Sequence, residues 1–296
     1  MALKDLVRTT YTSLLRGSNA DGLSVFGRLM GRFSETTLFL IRSLELDAYY
    51  RKPLAKAIER DGKKAATDEW VYDVGANDGD DTHYYLMKGY RVIAIEANPY
   101  LAERLSSRFS DAITKGRLVV VNAAVVDDER QFVDFYINEK HDKISSLLPP
   151  SENQEEYKRV TVPACRLSKL VRSHGSPFYI KIDIEGYDHK VLAEIFASAI
   201  QPRFVSAESF TIEVLCRLVA AGYSRFKVVE GRYVHSDFFL DKALTAPGHP
   251  SGYRFPKYNC CGPFGDDIPG PWVTADDIFN YLARHGHGWK DIHAAI

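Results

Sequence analysis

The sequence predicts a Rossmann-like α/β fold, and three observations lead to that prediction. Short apolar runs alternate with helical stretches from Glu69 onwards, which is the pattern of successive βα units. The runs are apolar on both faces, as strands buried in a parallel sheet must be. A turn containing Gly75 and Gly79 separates the first run from a helix, where the backbone must bend sharply and approach a ligand closely.

The predicted elements divide the chain into three parts. Strands are expected at 70–75, 91–96, 117–123, 177–185, 203–208 and 226–230, and helices at 81–88, 98–109, 186–199 and 210–221. Residues 124–165 break this alternation: a hairpin is predicted at 125–139, followed by a polar loop and a short strand at 160–164. The domain prediction is an N-terminal helical extension (1–66), the α/β domain (67–237) and a Gly/Pro/aromatic-rich extension (238–296) packed on that domain.

Composition argues against several classes of function. The 296 residues are 45% apolar and 26% charged, and 38 Lys and Arg nearly balance 39 Asp and Glu. With a formal net charge of -1, no overall field attracts nucleic acid. The four cysteines lack metal-site spacing and are predicted to be reduced thiols. With neither a signal-peptide core nor an apolar run long enough to span a bilayer, the expectation is a cytoplasmic protein, with a homodimer formed through the N-terminal helices.

The glycine turn carries an unusual number of acidic residues, which indicates the charge of its ligand. Asp73, Asp78, Asp80 and Asp81 lie in or beside it, and such carboxylates repel the diphosphate of a dinucleotide. S-adenosylmethionine has no phosphate and carries a sulfonium and an ammonium, so the acidic turn favours that cofactor. Asp80 and Asp81 also suit the dipole at the first turn of the helix, but Asp73 at the strand end has no such explanation.

Two further positions complete the predicted cofactor site. Glu96 ends the second strand about 20 residues after the glycines, where this kind of fold has an acid that binds ribose hydroxyls. At the end of the third strand, Asn122 could reach an adenine ring and Ala123 leaves room for it; Asn122 as an ordinary turn residue is an equal alternative. The predicted cofactor residues are Asp73, Gly75, Asn77, Gly79, Asp80, Glu96, Ala97, Asn98, Asn122, Ala123 and Asp183.

Four segments taken in order resemble one known family. The runs DVGANDG, EANP, NAAV and KIDIEGYDHKVL, within residues 70–235, are similar to the FkbM family of S-adenosylmethionine-dependent methyltransferases. KIDIEG is the most specific part of this match, because most class I methyltransferases share the glycine turn. The resemblance implies a class I methyltransferase sheet, mostly parallel with one antiparallel strand. It also implies O-methylation, with hydroxyls of sugars, glycoconjugates or natural products as acceptors.

Candidate catalytic residues follow from the need to align an acceptor and remove its proton. Asp183, Glu185 and Glu208 end adjacent predicted strands, beyond which parallel-sheet enzymes bind ligands; Glu185 as a helix cap is the alternative reading. Among the histidines His83, His141, His189 and His235, His141 in the polar loop is the predicted acceptor-side residue. Asp183 and Glu208 could bind a divalent cation, but no third ligand is evident, and no metal is predicted.

Other readings remain open at this level. The tail run CCGPFGDDIPGPW (260–272) suits either a sugar-stacking lid or an ordinary packed loop. A nicotinamide-dependent sugar oxidoreductase would need a third glycine and a less acidic turn. A catalytically inactive interaction protein on the same fold would be expected to have lost the glycine turn or the KIDIEG run, and both are intact.

Overall fold

The computed structural model describes residues 68–141, 144–238, 253, 255–256 and 260–296. The helical extension predicted for 1–66, and the dimer expected through it, lie outside the described residues. Within the described ranges, no helix has the length and apolar character needed to cross a bilayer. All four cysteines are free.

Ten strands and eight α-helices follow one another along the described chain. The strands are β1 (Trp70–Val74), β2 (Arg91–Glu96), β3 (Leu118–Asn122), β4 (Ala124–Val125), β5 (Phe132–Asn138), β6 (Tyr157–Cys165), β7 (Pro177–Ile182), β8 (Phe204–Glu208), β9 (Arg225–Glu230) and β10 (Lys290–Ala295). The helices are α1 (Asp80–Met87), α2 (Pro99–Arg108), α3 (Ser110–Thr114), α4 (Leu167–His174), α5 (Asp188–Ala197), α6 (Glu213–Ala220), α7 (Val234–Asp237) and α8 (Ala275–His285).

Seven strands form the main sheet in the order β3-β2-β1-β7-β8-β10-β9. The pairs β3–β2, β2–β1, β1–β7 and β7–β8 are parallel, and β10 runs antiparallel to both β8 and β9. The prediction of a mostly parallel sheet with one antiparallel strand is therefore confirmed. The strand order reverses direction between β1 and β7, and such a switch point opens a crevice at the carboxyl ends of the strands.

The core lies on both faces of this sheet because the central strands are apolar on both sides. Tyr72, Ile93 and Ile180 lie side by side on one face, in register across β2, β1 and β7, and all three are fully buried. Val71 and Tyr179 are paired on the opposite face and are equally buried. This double burial is what the apolar runs predicted.

The hairpin predicted within residues 125–139 is wrong. β5 pairs antiparallel with β6 over its whole length, from Phe132 opposite Pro163 to Asn138 opposite Tyr157, and β4 pairs parallel with β6. These strands form a separate three-stranded sheet in the order β4-β6-β5. The hairpin therefore consists of β5 and β6, joined by the long polar loop. The prediction failed because the strand that pairs with β5 lies after that loop.

The tail contributes to the main sheet and to the core. α8 begins after Thr274, whose side chain accepts from the Asp277 N–H in a capping box. β10 then inserts between β8 and β9, although the sequence division places these residues in an extension. Phe264 is buried and stacks on Tyr179 with ring centroids 4.0 Å apart. For Phe264, the packed-loop reading therefore holds over the sugar-stacking reading.

Candidate active site

A cleft of about 680 Å³ opens at the carboxyl ends of the central strands, beside the switch point. Its volume falls within the range of roughly 300–1,000 Å³ that small-molecule sites occupy. Of the predicted residues, the cleft is lined by Gly75, Asn77, Glu96, Ala97, Ala123, His141, Asp183, Glu185 and Glu208. Asp73, Gly79, Asp80, Asn98 and Asn122 are not part of this lining, and their contacts lie within the protein.

Gly75 fixes the distance between β1 and β7 at the floor of the cleft. Its φ of 79° lies in the left-handed region, and a Cβ added there would come 1.9 Å from the carbonyl oxygen of Asp183. Only glycine permits this approach of the two backbones. Gly79 has a different task, because a Cβ there would meet Leu105 and Phe109 of α2 and its C-cap. The first glycine therefore shapes the site and the second packs the helices.

Glu96 joins the glycine turn to the loop that follows β2. Its Oε2 accepts from the Asn77 N–H at 2.8 Å and its Oε1 accepts from the Asn98 N–H at 2.8 Å. Burial raises the pKa of Glu96 to about 7, although both backbone donors oppose that shift. Each carboxylate oxygen accepts more than one hydrogen bond, so Glu96 can hold both loops and still accept from a ligand in the cleft.

Asn98 and Asn122 support this loop from behind. Asn98 caps α2 by accepting from the Tyr100 N–H. Asn122 donates from Nδ2 to the carbonyl oxygens of Glu96 and Ala97, at 2.8 and 3.2 Å. These contacts fix the conformation of residues 96–98, and Ala97 then lines the cleft. Both asparagines therefore act on the site through the backbone.

Lys181 is a site residue that the sequence pattern did not reveal. It is buried, donates from Nζ to the carbonyl oxygen of Gly75 at 2.9 Å, and lies 3.1 Å from Asp73 Oδ1. Burial disfavours its charge, but Asp73 and the other acids outweigh this, so the pKa of Lys181 is raised. Asp73 also accepts from the Thr82 hydroxyl at 2.6 Å. Two features of the sequence could have indicated this pair. One is the lysine of the KIDIEG run, and the other is Asp73, which the helix dipole does not explain.

Asp80 and Asp81 are neighbours that face different surroundings. Asp80 pairs with Arg108 of α2 at 2.9 Å, away from the cleft. Asp81 lines the cleft, accepts from the Cys261 N–H, and lies 3.7 Å from Lys181. Burial raises its pKa to about 7. Asp80 is the predicted cofactor residue of this pair, whereas the structure places Asp81 against the cleft.

Three carboxyl groups of the cleft lining lie close together. Oxygens of Asp183, Glu185 and Glu208 lie within 4.8 Å of one another. β7 ends at Ile182, and Glu185 adopts a left-handed φ of 55°, so two acids one residue apart both reach the cleft instead of opposite faces. Glu185 does not cap a helix, because α5 has Tyr187 at its N-cap.

Burial and the neighbouring acids perturb these groups. The pKa of Glu185 is raised to about 8, by burial first and then by Asp183 and Asp188. Burial, followed by Asp183 and Asp291, also raises the pKa of Glu208. Lys181 lies 3.6 Å from Asp183, but it is already shared with Asp73. Full ionisation of these three carboxyl groups is therefore unfavourable without further positive charge beside them.

Of the four histidines considered, His141 lines the cleft. His141 is exposed, and its backbone N–H donates to Asn138 Oδ1 at 2.7 Å. His189 pairs with Glu213, and His83 packs against Phe109 and Tyr253. Two aromatic residues outside the predicted set, Phe210 and Trp289, also line the cleft.

The strand order, the glycine turn at the switch point and the acid after β2 define a Rossmann-like fold of the class I methyltransferases. A family model described as a methyltransferase FkbM domain matches residues 73–224, which is just over half of the chain. The chain belongs to this family of methyltransferases, as the four sequence segments indicated. No curated protein sequence gives a significant match.

Solved structures of several methyltransferases are similar over part of this chain. Precorrin-6y C5,15-methyltransferase from Geobacter metallireducens is 13% identical over 59% of this chain and 72% of its own, with a TM-score of 0.31. An rRNA methylase from Streptococcus thermophilus is 11% identical, with coverages of 60% and 86% and a TM-score of 0.32. P. horikoshii TYW2, solved with MeSAdo, is 18% identical, with coverages of 57% and 51% and a TM-score of 0.28.

Proposed function

We propose that this methyltransferase uses S-adenosylmethionine to methylate a hydroxyl of a sugar, glycoconjugate or natural product. The charge of the cleft is the observation that carries the cofactor assignment. Its lining contains the carboxyl groups of Asp81, Glu96, Asp183, Glu185 and Glu208, against the ammonium groups of Lys140 and Lys181. An excess of carboxylate attracts a sulfonium and an ammonium and repels the diphosphate of a nicotinamide cofactor.

The cofactor would lie over the glycine turn, between Glu96 and the carboxyl ends of β1 and β7. Glu96 is available to its ribose hydroxyls, and the small side chains of Ala97 and Ala123 leave the adjoining part of the cleft open to a flat ring. Asp81 and Asp183 line the cleft, lie 3.7 and 3.6 Å from Lys181, and are suited to the cationic end of the molecule.

Transfer then requires one displacement and one proton removal. Bound S-adenosylmethionine would supply the methyl group: the acceptor oxygen would bond to the methyl carbon as the carbon–sulfur bond breaks, with the electron pair of that bond left on sulfur. The acceptor proton passes to a base in the cleft, for which Asp183, Glu185, Glu208 and His141 are the candidates. A carboxyl such as Glu185, with a pKa of about 8, is a better base near neutral pH than an ordinary carboxylate.

The aromatic residues of the cleft favour an acceptor that is polar and has an apolar face. Phe135, Phe210 and Trp289 line the cleft together with the carboxyl groups, and Trp289 and Phe210 remain 37% and 41% exposed. Aromatic faces beside hydrogen-bonding carboxylates are suited to sugar rings, whose faces are apolar and whose edges carry hydroxyls.

Binding of the cofactor is tested first, by calorimetry with S-adenosylmethionine on the full chain and with NAD and NADP as controls. We expect binding of S-adenosylmethionine alone, weakened by Glu96→Gln and unchanged by Asp134→Asn, an exposed carboxyl on β5. Nicotinamide binding, or no binding of S-adenosylmethionine to the folded chain, would contradict the assignment.

Hydroxyl methylation is tested with S-adenosylmethionine labelled in its methyl group and a panel of neutral sugars, amino sugars and uronic acids. Label that survives mild alkali and hydrolysis as a methyl ether is the expected product. Label released by alkali would indicate a methyl ester, and label retained on nitrogen would indicate an amine acceptor; either product would overturn the hydroxyl assignment.

A further inference from the structure

The cleft contains a cluster of carboxyl groups larger than the proposed methyl transfer requires. Asp183, Glu185 and Glu208 bring ligand oxygens within 4.8 Å of one another. Oxygens on opposite sides of a bound Ca²⁺ are about 4.6–5.2 Å apart, and those around Mg²⁺ about 4.1 Å. The limit of 4.8 Å on the separations in the cluster is therefore compatible with three oxygens bound to one such ion.

A second observation, independent of this spacing, lies behind the cluster. Asp291 on β10 is 1% exposed, and neither of its carboxyl oxygens has a hydrogen-bond partner. It pairs directly with Glu208 across β8 and β10, and residues opposite each other in an antiparallel pair lie on the same face of the sheet. Asp183 is next in line, because Ile182 pairs with Ala207. The carboxyl of Asp291 therefore faces the cluster.

An unpartnered buried carboxyl is costly unless a charge compensates it. In the part of the chain that the structure describes, the cationic side chain beside the cluster is Lys181, 3.6 Å from Asp183. Its ammonium group also lies near Asp73 and Asp81 and donates to the Gly75 carbonyl. One shared ammonium group does not balance these carboxylates. A divalent cation held by the cluster would supply the missing charge.

We propose that Asp183, Glu185 and Glu208 form a binding site for a divalent cation of the Mg²⁺, Mn²⁺ or Ca²⁺ type. Oxygen-only ligands are the set that such hard ions prefer. Because all three residues line the cleft, coordination positions that the protein does not fill would be open to oxygens of the acceptor. The inference rests on the proposed methyl transfer: the cation would orient a diol and make its hydroxyl more acidic, and the proton would then leave through His141 at the rim.

The backbone around the cluster suits this role. Glu185 is held in its left-handed conformation while its carbonyl accepts from the Ser146 hydroxyl at 3.1 Å. Asp188 accepts from the N–H groups of Gly186 and Glu208, at 3.1 and 3.3 Å. Strained, well-supported positions of this kind are concentrated at functional sites. Asp188 thus supports two of the ligand-bearing segments without being a ligand.

Binding is tested by titrating the full chain with Mn²⁺ alone and following free Mn²⁺ by electron paramagnetic resonance, with and without saturating S-adenosylmethionine. We expect one Mn²⁺ per chain, displaced by Mg²⁺ or Ca²⁺. Glu208→Gln and Glu185→Gln should each weaken binding at least tenfold, and the exposed control Asp134→Asn should not. Glu185 lies in a loop at the cleft, so its variant keeps the test valid if Glu208→Gln fails to fold.

Thermal unfolding provides a readout that a purely structural role would not give. Added Mn²⁺ should raise the melting temperature of the wild type and leave those of Glu208→Gln and Glu185→Gln unchanged. If Mn²⁺ does not bind, or binds the glutamine variants as tightly as the wild type, the site is refuted. Binding of S-adenosylmethionine in the same samples then shows separately whether the methyltransferase proposal stands.

Discussion

Replacement of Gly75 by alanine tests how the glycine turn sets the geometry of the site. At a φ of 79°, a Cβ costs about 1–2 kcal/mol because of its contact with the following carbonyl. The same Cβ would lie 1.9 Å from the Asp183 carbonyl oxygen, so β1 and β7 must separate. Forced packing of this kind costs about 1–3 kcal/mol. We therefore expect Gly75→Ala to lower the free energy of unfolding by about 2–5 kcal/mol.

Gly116 provides the matched control for this prediction. It has a φ of 67°, and a Cβ there would meet nothing within 4 Å, so Gly116→Ala carries the conformational cost of about 1–2 kcal/mol alone. Urea unfolding, compared at constant slope, then isolates the contact with Asp183 as the difference between the two variants. Calorimetry should also show weaker binding of S-adenosylmethionine to Gly75→Ala. Equal losses of stability would refute the argument that this contact holds β1 and β7 together.

Three further predictions concern the charges around the cleft. Burial raises the pKa of Glu96 from 4.5 to about 7. Between these two values the folded state keeps a proton that the unfolded state has lost, so stability falls as pH rises. The melting temperature of the wild type should therefore decline more steeply over this pH range than that of Glu96→Gln, and parallel curves would refute the raised pKa. Asp81→Asn should weaken S-adenosylmethionine binding about tenfold by calorimetry, ~1.4 kcal/mol, whereas Asp80→Asn should stay within about twofold; the reverse order would restore the sequence-based choice of Asp80. Lys181→Met should lower the free energy of unfolding in urea by about 3–5 kcal/mol, because it leaves Asp73 buried without its cation. The double variant with Asp73→Asn should recover part of that loss. No recovery would show that the two residues are not coupled.

The sequence predicted the central strands well because their pattern depends on burial alone. The run at 91–96 is the full extent of β2, since a strand covered on both faces must be apolar throughout. β10 lacks that signature. Lys290, Asp291 and His293 interrupt it, and Asp291 and His293 are buried all the same. A strand of buried polar residues resembles a loop until its neighbours are known.

The site was predicted in the same uneven way. Glu96 could be assigned from its interval after the glycines, because that interval reflects one complete βα unit. Asp73 could not be separated from the cleft residues, since its partner Lys181 lies on a strand more than 100 residues later. The third carboxyl of the cluster depends on the left-handed turn at Glu185, which a pattern of alternation does not reveal.

The position of β10 also has a consequence for synthesis of the protein. β9 has β10 as its sole strand partner in the described sheet, and β8 is paired on one edge until β10 arrives. A nascent chain that has reached residue 289 therefore has an unpaired edge on β8 and a β9 without any strand partner, the kind of surface on which chains associate wrongly. During translation the sheet therefore stays incomplete until β10 has been made, and only then does Asp291 come to lie opposite Glu208. We expect recovery of folded protein to depend on temperature and on chaperones that shield these edges.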